Sequence, residues 1–112
     1  MLGAIIGDFV GSRFENKNTI PCMAFKSKEF QLLHPNCQLT DDSMQTMAVA
    51  KAVFECRNDL GNIHQKAFEC MKEFGRTVKY AHYSPEFFRW IWSDSTEPLD
   101  SFGNGAAMCI SP

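Results

Sequence analysis

Thr40-Asp41-Asp42-Ser43-Met44-Gln45-Thr46-Met47-Ala48-Val49-Ala50-Lys51-Ala52-Val53-Phe54-Glu55-Cys56 reads as the start of a helix followed by its apolar body. Thr40 is a good N-cap, and Asp is favoured in a first turn, where free N–H groups and the positive end of the dipole stabilise negative charge. Beyond that turn, Met44, Met47, Ala48, Val49, Ala52, Val53, Phe54 and Cys56 cover so much of the circumference that burial on most sides is expected. The same start allows a second reading. Two adjacent ionised aspartates repel each other, and a divalent cation bound to their oxygens would cancel that repulsion.

Working outward, residues 2 to about 13 place Leu2, Ile5, Ile6, Phe9 and Val10 at helical spacing, with Gly3, Gly7 and Gly11 as a second stripe every four residues. Three glycines weaken a helix, so close approach of another helix or of a ligand to bare backbone is the expected compensation. A buried central helix is predicted here. Residues 16–39 lose the pattern, with Pro21, Pro35 and Asn36 as breakers, and form a long irregular connection. After a turn at 58–61, a helix from 62 to 74 carries Ile63, Ala67, Met71 and Phe74 on one stripe, with Gly75 as its C-cap. Ser84-Pro85-Glu86 reads as N-cap, N1 and N2 of a short helix whose Phe87, Phe88, Trp90, Ile91 and Trp92 are core candidates. A polar stretch follows from 93 to 100, and a Gly-rich turn then leads into small and apolar residues up to Ile110. No alternating strand pattern and no internal repeat is present, so the fold is expected to be all-α.

The 112 residues suit a single domain, 1–112, or the amino-terminal part of one. An ending at Pro112, just after a helix has begun, reads as an interruption. A hydrophobic fraction of 45% with ten Phe and two Trp excludes a disordered tail, and 21% charged residues suit a soluble surface. The net charge of -2 and scattered Lys and Arg argue against nucleic acid as a general partner. The apolar start lacks a basic n-region, and Asp8 interrupts it, so neither an export signal nor a membrane span is expected. Five well-separated cysteines without a Cys-x-x-Cys pair read as reduced thiols of a cytoplasmic protein, with Cys56 and Cys70 as small buried hydrophobes.

Four carboxylates, Asp8, Glu15, Asp41 and Asp42, lie near two element ends. Such groups can hold magnesium or manganese, or divide acid and base roles. Asp8, within an apolar helix, must find donors, so it is either part of such a site or a hydrogen-bond hub for a neighbouring loop. Glu15 reads equally as a solvated loop carboxylate. Gly103-Asn104-Gly105 before a helix can receive an anion on its N–H groups, or can be an ordinary turn. His34, His64 and His82 show no ligand spacing, and His64 reads as surface.

Residues 1–15, Thr40-Asp41-Asp42-Ser43 and Ser101-Phe102-Gly103-Asn104-Gly105-Ala106-Ala107-Met108, with Phe88-Arg89-Trp90 before the last, resemble in order the amino-terminal half of ADP-ribosylglycohydrolases, including those that resemble dinitrogenase reductase-activating glycohydrolase. The resemblance spans essentially the whole chain. It implies an all-helical fold with a two-ion Mg2+ centre, or Mn2+ in its place, that cleaves the bond between ADP-ribose and a protein side chain. It further implies Thr40, Asp41 and Asp42 as metal ligands, Glu15 and Asp42 as catalytic carboxylates, with Glu15 orienting or activating the attacking water, and Gly103, Asn104 and Gly105 as binders of the ADP-ribose phosphates. Ser43 stands for the usual threonine, and Cys109 for a common arginine. The family's Asp-x-Asp-Thr-like second metal motif has no counterpart among these residues, so only half of the two-ion site is encoded here. ADP-ribose or an ADP-ribosylated protein is the expected partner, and an oligomer is one way to complete the ligand set. The competing reading is a non-catalytic module that binds ADP-ribose or metal.

Overall fold

Ser43, Gln45, Thr46, Ala48 and Ala52 form the buried face of one helix, and their small or polar side chains let its neighbours come close. In the computed structural model, which describes residues 1–15, 28–78, 83–103 and 105–109, this is α2, Asp41–Glu55. It follows α1, Leu2–Gly11, and a short 3-10 turn over Ser12–Phe14. A second 3-10 turn at Leu60–Asn62 leads into α3, Ile63–Thr77, and then come α4, Pro85–Trp92, and the single turn α5, Gly105–Met108. No strand occurs among the described residues, in agreement with the all-α expectation. No helix among them is long and apolar enough to cross a membrane.

The most extensive contact is between α2 and α3. Lys51 pairs with Glu73 at 2.6 Å while Glu55, one turn later, pairs with Lys66 at 3.3 Å, so the two helices run antiparallel. Between them Ala48, Ala52 and Cys70 form the core, with Ala67, Met71 and Phe74 packed against it. That is the predicted stripe of α3, joined by two alanines small enough to admit it. Cys56 and Cys70 are buried free thiols, as read from their positions.

Three expectations are corrected. The apolar circumference of α2 is not buried throughout: Val53 and Phe54 lie exposed. Likewise α1 is not a buried central helix; only Val10 is buried, Leu2 and Ile6 face outward, and a Cβ at Gly3, Gly7 or Gly11 would meet nothing within 4 Å. No neighbouring helix therefore packs closely on the glycine stripe. Gly75, read as a C-cap, lies inside α3, which runs on to Thr77, and no glycine among the described residues has positive φ.

Gly75 owes its identity to packing. A Cβ there would sit 2.6 Å from Ile91 Cδ1 and 3.0 Å from its Cγ1, and Ile91 on α4 is fully buried. Ser84 caps α4 as expected, its hydroxyl accepting from Phe87 N at 3.2 Å, with Pro85 in the first turn. Of the five core candidates on α4, Trp90 and Ile91 are buried and Phe87 is half-buried, but Phe88 and Trp92 lie exposed, since α4 presents one face to α3. Lys72 Nζ donates to the carbonyls of Ser93 and Ser95, and Arg76 Nε to that of Ile91, so α3 also caps the end of α4.

Candidate functional site: a carboxylate cluster at the start of α2

Thr40, five per cent exposed, has extended backbone and accepts on its hydroxyl from Asp42 N at 3.3 Å, which makes it the N-cap that the sequence suggested. The cap is held from α1. Thr40 Oγ1 donates to Asp8 Oδ1 at 2.6 Å, while Asp8 Oδ2 accepts from Thr40 N at 3.1 Å and from Ser43 Oγ. Asp8 is thus a hydrogen-bond hub for the loop and the start of α2. Ser12 fastens the preceding loop to the same helix, its hydroxyl donating to Phe9 O at 2.8 Å and accepting from Gln38 N at 2.9 Å. The order of α1, loop and α2 is thereby fixed around three carboxylates.

Between α1 and α2 lies a cavity of about 300 Å³. Ala4, Gly7 and Gly11 give it a wall with almost no side chain, Asp8, Glu15 and Asp42 contribute carboxylates, and Ser43 and Thr46 contribute hydroxyls. Glu15 and Asp42, far apart in sequence, thus share one space. Thr40 and Asp41 flank Asp42 at the helix start. Gly103, whose N–H donates to Ser101 Oγ at 3.1 Å, and Gly105, which opens α5, are not among the residues that line this cavity, and Asn104 lies outside the described residues. His34 is half-buried with its Nδ1 accepting from Asn36 N, His64 is exposed as read, and His82 lies outside the described residues.

Asp42 sits among like charges. Burial, then the neighbouring carboxylates of Asp41 and Asp8, push the Asp42 carboxyl above its usual range. Among the described residues no Lys or Arg pairs with Asp41 or Asp42. An all-oxygen donor set of excess negative charge suits a hard cation in kind. It falls short in number: magnesium takes about six oxygens in octahedral array, one hydroxyl and two carboxylates leave part of that shell to other groups, and among the described residues no three His, Cys, Asp or Glu converge on a metal position.

The ADP-ribosylglycohydrolase family model matches residues 1–112. The chain belongs to the ADP-ribosylglycohydrolase family. Neither the curated proteins nor the solved structures gave a match. Membership in this hydrolase family gives the shared cavity of Glu15 and Asp42 a chemical context, since its members act on ADP-ribosylated substrates.

Cys109, where arginine is common in ADP-ribosylglycohydrolases, follows α5, which touches α2. Burial, then the charges of Asp42 and Asp41, push its thiol up to about 11. The thiolate, the reactive form, therefore forms only near that pH. At pH 8, alkylation of Cys109 by iodoacetamide, followed by peptide mass spectrometry, is expected to run about 100-fold slower than that of a free thiol. A rate near that of glutathione would contradict this placement.

Some participants escaped the sequence reading. The hydrogen bonds of Ser12 and Ser43 could not be read, because their partners lie 26 and 35 residues away, although Ser43 itself stood out in the Thr40–Ser43 motif. Thr46 stood on the periodicity of the cavity, one turn after Asp42, and that spacing could have found it.

Proposed function

We propose that the start of α2 and the glycine face of α1 form part of a magnesium-dependent site that hydrolyses the glycosidic bond between ADP-ribose and a protein side chain. The observation that carries this reading is the cavity that Glu15 and Asp42 share against the bare backbone of Gly7 and Gly11. Its volume lies at the low end for small-ligand pockets, suited to one sugar unit. Thr40, Asp41 and Asp42 are the residues that would hold the ion, with water or further groups completing its shell. When bound, the ion would supply Lewis-acid polarisation of oxygen and cancel the repulsion at the cluster.

The chain's own residues have separable tasks in this scheme. Asp8 locks the Thr40 hydroxyl and leaves Asp41 and Asp42 at the positive end of α2. Glu15 orients a water and takes its proton as the oxygen bonds to the anomeric carbon. The anomeric carbon's bond to the side chain breaks, and the departing atom takes up a proton, so one water is consumed and free ADP-ribose and the unmodified side chain result. Gly103, Asn104 and Gly105 receive the phosphates through backbone N–H groups.

The competing reading is a module that binds ADP-ribose without turnover. Calorimetry is expected to show saturable ADP-ribose binding that strengthens with Mg2+; no binding in either condition overturns both readings. Release of ADP-ribose from ADP-ribosyl-arginine or ADP-ribosyl-serine peptide then separates hydrolase from module.

Asp42→Asn gives an independent check. Because the Asp42 carboxyl is raised on folding, the folded state holds its proton more tightly, and stability falls as pH rises from the unfolded value through the folded one. Above both, ionised Asp42 is a standing cost. Without metal, Asp42→Asn at pH 7 is expected to raise Tm by about 1–3 °C. Mg2+ should raise Tm of the natural sequence and leave the variant unmoved. A lower Tm for the variant without metal would refute the strained-cluster description.

A further inference from the structure

Thr46 lies on α2 one turn after Asp42, and both line the cavity between α1 and α2. The residue is only four per cent exposed. A hydroxyl so placed is normally bonded, and inside a helix it commonly turns back to the carbonyl one turn before. Here it does not: among the described residues the Thr46 hydroxyl has no hydrogen-bond partner, and its oxygen is not sealed off, so the little exposure it keeps opens on the cavity. The other side chains of the wall are engaged or cannot donate. Asp8 accepts from Thr40 and Ser43, Ser43 gives its proton to Asp8, and Glu15 and Asp42, when ionised, only accept. Ala4, Gly7 and Gly11 bring no polar side chain.

Thr46 is thus the side chain of this cavity with a proton left to give. On a helix, side chains four residues apart stand about 5–6 Å from each other at Cβ, and the later one leans over the earlier. The Thr46 hydroxyl and the Asp42 carboxylate therefore flank one position in the cavity. A single hydroxyl oxygen placed there accepts from Thr46 and gives its proton to Asp42, both as ordinary bonds. An alcohol satisfies both groups; an anion would be repelled by Asp42, and a bare cation has no lone pair for the Thr46 proton.

We propose that Thr46 is a ligand-binding residue of this site: its O–H donates to a hydroxyl oxygen of the ligand's terminal ribose while Asp42 accepts from that same hydroxyl. The assignment rests on the ADP-ribose reading above and names the side chain that recognises the sugar. Thr46→Val keeps the branched shape and removes only the hydroxyl. Because that hydroxyl has no partner among the described residues, Tm should be equal or higher in the variant. Calorimetry with ADP-ribose is expected to show affinity about 3- to 10-fold weaker in Thr46→Val, the loss of one hydrogen bond to a ligand hydroxyl. ADP, which lacks the terminal ribose, should bind both proteins equally. Thr46→Ser, which restores the hydroxyl, should bring ADP-ribose affinity back to within about twofold of the natural sequence. An unchanged ADP-ribose affinity in Thr46→Val, an equal loss for ADP, a serine variant as weak as the valine one, or a Tm lowered by more than about 2 °C overturns the assignment and leaves the ADP-ribose reading standing. If the natural sequence binds no ADP-ribose at all, the reading and the assignment fall together.

Discussion

Asp8→Ala is expected to lower the unfolding free energy by about 3–5 kcal/mol, among the largest losses any single substitution in this chain should cause. The reason lies in what the alanine would abandon. Asp8 accepts from Thr40 N, Thr40 Oγ1 and Ser43 Oγ, and the two donor residues are five and one per cent exposed, so water cannot simply replace the carboxylate. Each bond to a charged acceptor is worth about 1.5–3 kcal/mol, and losses within one network are not additive, which sets the range below the plain sum. Asp8→Asn should cost about half as much, since the amide keeps one acceptor and turns an NH2 toward hydroxyls able to rotate. Urea unfolding measures both. A loss below about 1 kcal/mol for Asp8→Ala would show that α1 does not hold the start of α2. In a domain with total stability of about 5–15 kcal/mol, the predicted loss also unfastens the cap, so ADP-ribose binding should fail in Asp8→Ala before the fold does.

That hub shows where sequence reading succeeds and where it stops. The Thr40 cap, the Ser84-Pro85 start of α4 and the α3 stripe were legible because each depends on neighbours within one or two turns. Asp8 was legible as a group in need of donors, since a carboxylate in an apolar helix must be paired, but its partners 32 and 35 residues away were not. The extent of burial was overestimated on α1, α2 and α4 for one reason. Periodicity says which face is apolar, whereas the number of neighbours decides whether it is covered. The radius of gyration, 15.7 Å, exceeds the roughly 13 Å of a compact chain of this length. Flanking helices that extend the α2–α3 pair at its sides leave Phe54, Phe88 and Trp92 in the open. Among the candidate site residues, Glu15 and Asp42 line one cavity, and that, like the hydrogen bond of Gln45 to Tyr83, needed the chain traced in space.

Gly75 is the position where the two kinds of reading predict different experiments. If it were a C-cap, replacing it would cost the same whatever stood on α4, because the penalty would lie in the left-handed backbone. Buried against Ile91 instead, it should be coupled to that residue. Gly75→Val places a Cβ 2.6 Å from Ile91 Cδ1 and adds two methyl groups beyond it, and Ile91, fully buried, has no free space to turn into. Overpacking of this kind costs about 3 kcal/mol. Ile91→Ala, which empties the same space, costs about 2–5 kcal/mol through lost burial and a residual cavity. The double variant should be less destabilised than the sum by about 1–3 kcal/mol, because the valine methyls occupy the volume that the isoleucine vacated. Chemical denaturation of the four proteins measures the coupling. Additivity within about 0.5 kcal/mol would separate Gly75 from Ile91 and restore the cap; a coupling of the expected size would make the glycine the contact that lets α4, with its Phe87–Trp90 stack, close on α3.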